Sequence, residues 1–311
     1  MKRTRWNEVL VVLITLGLLL GGWQSGCRSA NDGQERKLRV ALLPILDTLP
    51  FYVAEQEGYF AAEDIQVELV PVKSPNERDA LMQANEVDGM LTDLPGVGVF
   101  NRDQPQVKVI AMARKAYPSA PLFWLLAAPD SQINQVADLA GVEIGISQNT
   151  VIEYITDRML ELSGVPTEQI AVQEITAIPV RFEQLMAGQV QAATLPDPLA
   201  QGAMAVGAKL VVDDGQFTQY SQSVLVFGVE AIENKPETLR KFLTAWNKAV
   251  SDLNTNPAAF QDLLIERGRV PESVQGSYTM PPFPKGEITS PEQWDDIVAW
   301  LIEKDLIARE I

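Results

Sequence analysis

From Leu38 onward, short apolar segments of strand length alternate with segments of helical periodicity, and this alternation restricts the fold more than any other feature. Residues 38–45 (LRVALLPI) read as a buried strand and 51–60 (FYVAEQEGYF) as a helix ending near Gly58. Residues 65–72 alternate as a second strand, and a second helix follows over 77–85. Further strands are expected at 87–91 and 107–113. After a turn opened by Pro129 come a strand at 142–146, a helix at 152–163 and a strand at 170–175. Strands separated by helices of this length imply right-handed βαβ units around largely parallel sheets, hence an α/β fold.

The last third turns helical. Pro236 opens a helix in which Leu239, Phe242, Leu243, Trp246 and Val250 recur at helical spacing. Ser290-Pro291-Glu292-Gln293 is a capping box leading into Trp294, Ile297, Val298 and Leu301. These tryptophans are expected to pack in the core or between lobes.

Two stretches rhyme: LMQANEVDGMLTDLP from Leu81 and LMAGQVQAATLPDP from Leu185. Each reads as a helix end, a tight turn at Asn85 or Gly188, a short strand, then an aspartate and a proline. The rhyme suggests two lobes; reuse of a common helix–strand corner is the competing explanation. Ligands of open α/β sheets bind beyond the carboxyl ends of strands, where Asp93 and Asp197 fall.

Ahead of this region stands a different kind of segment. Lys2, Arg3 and Arg5 are followed by the almost wholly apolar run 9–23, then by Gly26, Cys27 and a polar stretch over 28–37. That is the order of a secretory signal, and the apolar run is short for a span of roughly 20 residues. Ser25-Gly26-Cys27 resembles the lipobox of bacterial lipoproteins, with Gln24 where that family usually has leucine. The resemblance implies residues 1–26 as a signal peptide, lipid on Cys27, and 27–37 as a tether holding the protein to the membrane surface. An ordinary signal peptide with an incidental cysteine, or an uncleaved anchor, are the other readings. Cys27 is the only cysteine, so no intrachain disulfide can form. Losing residues 1–26, with Lys2, Arg3, Arg5 and Glu8, moves the formal charge from −16 to −18. So acidic a chain is ill suited to nucleic acid, which needs clustered lysine and arginine.

Four stretches carry a wider resemblance: 50–60 (PFYVAEQEGYF) continued by 65–68, 87–89 (VDG), 138–146 (DLAGVEIGI), and 185–192 (LMAGQVQA) ending in Pro196-Asp197-Pro198. In order and spacing they resemble the substrate-binding proteins of ATP-driven (ABC) importers, in the group of nitrate, sulfonate, taurine and thiamine-pyrimidine binders. The resemblance implies the two-lobed periplasmic-binding-protein type II fold, with hinge crossings between the lobes. One lobe would hold 38–125 plus 225–311 and the other 126–224, with crossings near 121–127 and 224–227. It also implies a monomer that delivers a small-molecule ligand to a membrane permease served by a separate ATPase. No Walker motif occurs in the chain itself.

In such proteins the pocket is built from loops after strands. Here that points to Asp47 and Thr48 before the first helix, with Tyr52 as a stacking platform, and to Asp93 and Leu94 in the second loop. Ser147, Asn149 and Thr150 form the third loop, Asp197 the fourth, and Trp124 an aromatic wall near the first crossing. Helix capping is the competing role for Asp47, Thr48 and the 147–150 loop. Three carboxylates with no lysine or arginine in these loops would repel an anion unless Arg114, Arg181 or a helix end compensates. A ligand with N–H donors or positive charge, such as a thiamine-type pyrimidine or another N-heterocycle, suits them better; a small anion is the alternative.

Catalysis is the rival class, because the same fold hosts a fungal pyrimidine synthase and dehydratases of menaquinone biosynthesis. The fungal synthase consumes a histidine of its own, and this chain has none. Histidine and cysteine clusters for a metal are also missing, and no acidic loop has EF-hand spacing, so no cofactor is expected.

Overall fold

The computed structural model describes residues 35–308. The signal segment, Cys27 and most of the tether lie outside the described residues. The chain begins with β1 (Lys37–Leu42), α1 (Leu49–Gln56), α2 (Tyr59–Ala62), β2 (Gln66–Pro71), α3 (Pro75–Gln83), β3 (Gly89–Asp93), α4 (Leu94–Asn101) and β4 (Val107–Lys115). It continues through β5 (Phe123–Ala127), β6 (Glu143–Ile146), α5 (Val151–Leu162), β7 (Ala171–Glu174), α6 (Ile178–Met186), β8 (Ala192–Pro196), α7 (Leu199–Ala205) and β9 (Lys209–Asp213). It closes with β10 (Gln222–Gly228), α8 (Val229–Asn234), α9 (Pro236–Thr255), α10 (Gln261–Arg267) and α11 (Pro291–Glu303).

The ten strands form two five-stranded sheets, ordered β2-β1-β3-β10-β4 and β7-β6-β8-β5-β9. The two orders are the same pattern: three parallel strands, then one antiparallel strand, then an edge strand. The sheets are thus mixed rather than largely parallel. The reason is the crossover: β5 and β10 each enter a sheet from the other lobe, at the end where the parallel strands finish, and must run back against them. The rhyming segments end in β3 and β8, which hold the same third place in their sheets. Their turns carry positive φ at Asn85 (55°) and Gly188 (68°).

Both faces of each sheet are buried, as alternation of side chains requires. In the first sheet Leu38, Val40, Leu42, Leu91, Leu225 and Phe227 face one core, with Phe51, Phe242 and Trp246 of the flanking helices. Ala41, Met90, Val224 and Val226 face the other, against Leu94 and Val97 of α4 and Ile297, Trp300 and Leu301 of α11. The 87–89 motif is structural. A side chain at Gly89 would lie 2.7 Å from the Phe227 ring and the Val226 carbonyl, so only glycine lets β10 pair there. Asp88 accepts hydrogen bonds from the Arg39 backbone (2.8 Å) and Lys235 (2.7 Å). The Ser290 capping box forms as expected, with Gln293 returning to the Ser290 backbone at 3.0 Å.

The chain passes between sheets at 116–122 and 214–221. The expected crossings, 121–127 and 224–227, lie mostly inside strands: Phe123–Ala127 pairs wholly in the second sheet and Val224 wholly in the first. Apolar runs mark strands well, but which sheet a run joins is decided by pairing partners far away in sequence. Asp214 ties the two passages together, its carboxylate accepting the backbone N–H groups of Leu122 (2.8 Å) and Phe123 (3.0 Å).

The C-terminal region also bridges the lobes. Trp300 of α11 donates to Asp157 of α5 at 2.9 Å, and Lys304 pairs with Asp157 (2.8 Å) and Glu153 (3.1 Å). Arg158 and Tyr154 of α5 both bond Asp296 of α11, the former at 3.0 Å. Of the two tryptophans singled out in the sequence, Trp246 is core and Trp294 packs partly buried against the first lobe's other core, while Trp300 reaches across to the second lobe.

Candidate functional site

The loops after β1, β3, β6 and β8 meet between the lobes, and the centre of this region is an arginine. Arg114, at the end of β4, is wholly buried. Its Nη1 lies 3.5 Å from Asp47 of its own lobe and its Nη2 3.4 Å from Asp197 of the other. Burial alone would lower the Arg114 pKa, but the two carboxylates more than offset it and leave it raised. Asp47 also accepts from Ser223 at 2.6 Å, and Asp197 from Gln201 at 2.8 Å and from the Tyr278 hydroxyl. Burial pushes the Asp197 carboxyl up, with Arg114 and then Tyr278 opposing. The Arg114 guanidinium also lies 5.9 Å from the centre of the Phe283 ring. Sequence reasoning singled out both aspartates but missed Tyr278 and Ser223, which arrive from segments about 80 and 176 residues away.

An interlobe groove of about 270 Å³ is walled by Arg78, Asp93 and Phe100 from the first lobe and by Gln148, Asn149, Thr150 and Thr176 from the second. Asp93 caps α4, accepting from the Gly96 N–H at 2.8 Å. It also accepts from the Val151 N–H at the start of α5, across the cleft. Burial raises its carboxyl, and Arg78 opposes that shift. Arg78 itself is held by Asp79 at 2.7 Å.

The other expected residues divide between capping, packing and the cleft. Thr150 caps α5, accepting from Ile152 (3.1 Å) and donating to the Ser147 carbonyl (2.8 Å). Asn149, at φ 60°, donates its backbone N–H to Glu153 (2.7 Å) and is among the residues lining the groove. Ser147 is buried and bonds the Thr176 carbonyl at 3.2 Å and Arg181 at 2.8 Å. Neither Asp47 nor Thr48 caps α1; Thr48 instead bonds the Ile45 carbonyl at 2.7 Å. Leu94 is packed in the first lobe's core. The Tyr52 ring is met by Arg267 at 4.9 Å, while its neighbour Phe51 is core. Trp124 is nearly buried on the face of the second sheet that packs on α6 and α7, and its Nε1 has no partner among the described residues. The three aspartates therefore do not stand as three free acids: Arg114 offsets one charge, and a helix end and an N–H of α5 share Asp93.

The model of one protein family, described as "NMT1/THI5 like", matches residues 46–260, more than half of the chain. The chain belongs to this family. A formylaminopyrimidine-binding protein of Halalkalibacterium halodurans is 23% identical over 97% of the chain and 95% of its own length. The riboflavin-binding protein RibY of Chloroflexus aurantiacus is 25% identical over 79% of the chain and 70% of its own length. Among solved structures, the periplasmic aliphatic sulphonate binding protein SsuA of Escherichia coli superposes with a TM-score of 0.74 at 16% identity, covering 89% of the chain and 90% of that protein. The fold is that of the periplasmic binding proteins. Among the described residues no helix is long and apolar enough to cross a membrane.

Proposed function

We propose that this NMT1/THI5-like protein captures a small N-heterocyclic or amine-bearing nutrient in the cleft between its lobes. It then hands the ligand to an ABC permease that works with a separate ATPase. The observation that carries this reading is the Asp47–Arg114–Asp197 cluster, in which buried charged groups from both lobes meet at the ends of the sheet strands. Asp47 and Asp197 offer carboxylate oxygens to ligand N–H groups, Asn149 and Thr150 flank the groove, and Trp124 supplies the aromatic wall. The formylaminopyrimidine- and riboflavin-binding relatives support a flat nitrogen heterocycle. The two-lobed frame with paired passages supports capture by hinge closure. The protein works outside the cytoplasmic membrane as a monomer, tethered through lipid on Cys27 after removal of residues 1–26. It binds rather than catalyses: with no histidine, and its only cysteine at position 27, acid–base or nucleophilic chemistry would fall to other groups.

A thermal-shift screen of the chain starting after Cys27, against pyrimidines, riboflavin, amines, sulfonates and nitrate, tests the capture. Binding to the folded state adds about 2.7 kcal/mol at a hundredfold excess over Kd. Small-angle scattering with the best compound should show compaction. A compound that raises Tm without compaction refutes clamp closure; mass spectrometry of the membrane-extracted protein tests the lipid.

A further inference from the structure

We propose that the captured ligand carries an oxyanion (a carboxylate, sulfonate or phosphate) seated on the Nε and Nη2 edge of Arg181; this rests on the solute-binding reading above. Arg181, on α6, is wholly buried, like Arg114, but among the described residues no carboxylate pairs with it. Its Nη1 donates to the Ser147 hydroxyl and to the Ile175 carbonyl, both at 2.8 Å, and both partners are neutral. Nε and Nη2 have no partner among the described residues. The other buried arginines, Arg78 and Arg114, each have an acid beside them. Burial is the sole cause pushing the Arg181 pKa down to about 9, with no acid opposing it, and at neutral pH the group is still a cation. A buried cation of this kind calls for an anion, and none of the described residues supplies one.

Its position fits a ligand site. Ser147 and Ile175 directly follow β6 and β7, and their neighbours Gln148 and Thr176 line the interlobe groove. The guanidinium therefore lies one residue behind the groove wall. The arginine stem crosses the sheet over Gly145, where a Cβ would sit 3.2 Å from Ile175 Cδ1 and 3.4 Å from Arg181 Cγ. The register extends the site sideways. Gly145 pairs with Ala193 and Trp124 with Leu195; carried two residues on, past the end of β6, the same register brings Ser147 level with Leu195 and Trp124. Adjacent strands lie about 4.8 Å apart, which puts the ends of this row within reach of one small ligand. The unpartnered Trp124 Nε1 adds a third donor atom to the two of Arg181. All three atoms can only donate, and the Arg181 fork matches two oxygens of one acid group. Glu174, the nearest acid on β7, is exposed and bonded to the Thr176 hydroxyl at 2.9 Å.

The experiment uses calorimetric titration of the soluble chain with matched pairs: riboflavin and riboflavin 5′-phosphate, a hydroxymethylpyrimidine and its phosphate, nicotinamide and nicotinate, with benzenesulfonate as an acid lacking ring nitrogen. Wild type should bind the acidic member of at least one pair tenfold or more tightly than its neutral partner. Arg181→Met, which keeps the stem and removes the charge, should erase that preference, and its melting temperature without ligand should not fall. Arg181→Lys should retain part of the preference. Equal binding of both members of a pair would overturn the inference and leave the N-heterocycle reading standing. Arg181-dependent binding of benzenesulfonate alone would do the reverse. A lowered melting temperature in Arg181→Met with every affinity unchanged would make Arg181 structural and overturn the inference.

Discussion

Removing the Asp197 carboxylate should loosen the two lobes from each other and destabilise the whole chain. The side chain is 5% exposed and accepts from Arg114 (3.4 Å), Gln201 (2.8 Å) and Tyr278. In Asp197→Ala all three donors lose that acceptor, and Arg114 keeps only Asp47 at 3.5 Å. Orphaning a buried donor costs about 1–3 kcal/mol, and breaking a buried ion pair about 3–5 kcal/mol. Because these losses overlap at one carboxylate, about 3–5 kcal/mol is expected in total. At about 2–4 °C per kcal/mol, the melting temperature should fall by roughly 10 °C. A double-mutant cycle with Arg114→Met isolates the pair. Its single contact at 3.4 Å is long for a charge-assisted bond, which puts the coupling near the low end of the range, about 2 kcal/mol. Urea melts of the four proteins measure it, and scattering should show the Asp197→Ala chain more open without ligand. A melting temperature within 1 °C of wild type, or a coupling near zero, would refute the view that Arg114 and Asp197 hold the lobes together.

Ser290→Ala removes the cap of α11 and should cost about 1 kcal/mol, read as a fall of a few degrees in a thermal melt. Asp214, wholly buried at the paired passages, is pushed up to about 7, with burial as the main cause. Its folded pKa lies above the unfolded value of 3.8, so the native state holds the proton longer, and stability from this group falls as pH rises from about 4 to 7. The fall is up to about 4 kcal/mol, and urea melts at pH 5 and pH 8 should show a pH slope that Asp214→Asn removes.

Much of the fold was legible because local rules governed it. The strand and helix order, the capping box at Ser290, the turns at Asn85 and Gly188, and the rhyme ending in β3 and β8 all depend on neighbours within a few residues. The site was legible only as a set of loops. Asp47, Asp93, Asp197 and Ser147 do gather at strand ends, but the sequence left open which of Arg114, Arg181 or a helix end offsets the acids; the fold brings Arg114 to Asp47 and Asp197 from the end of a strand outside the four loops. Counting acids in loops therefore overstated the negative charge a ligand meets. Thr150 and Asp93 illustrate a second limit: a residue suited to hold a ligand is equally suited to cap a helix, and both cap one. Leu94 and Tyr52 show a third, since only packing decides which side of a helix faces the cleft.

By itself, then, the sequence determined the alternating α/β grammar, the paired helix–strand corners that suggest two lobes, and the acidic, histidine-free composition, all properties of residues close in the chain or of simple counts. The tertiary structure alone decided which sheet β5 and β10 join, that Tyr278 and Arg114 meet Asp197, and that Arg181 is left buried without an acid. These depend on contacts between segments tens to hundreds of residues apart, whose free energy comes from burial and charge pairing that no local pattern encodes.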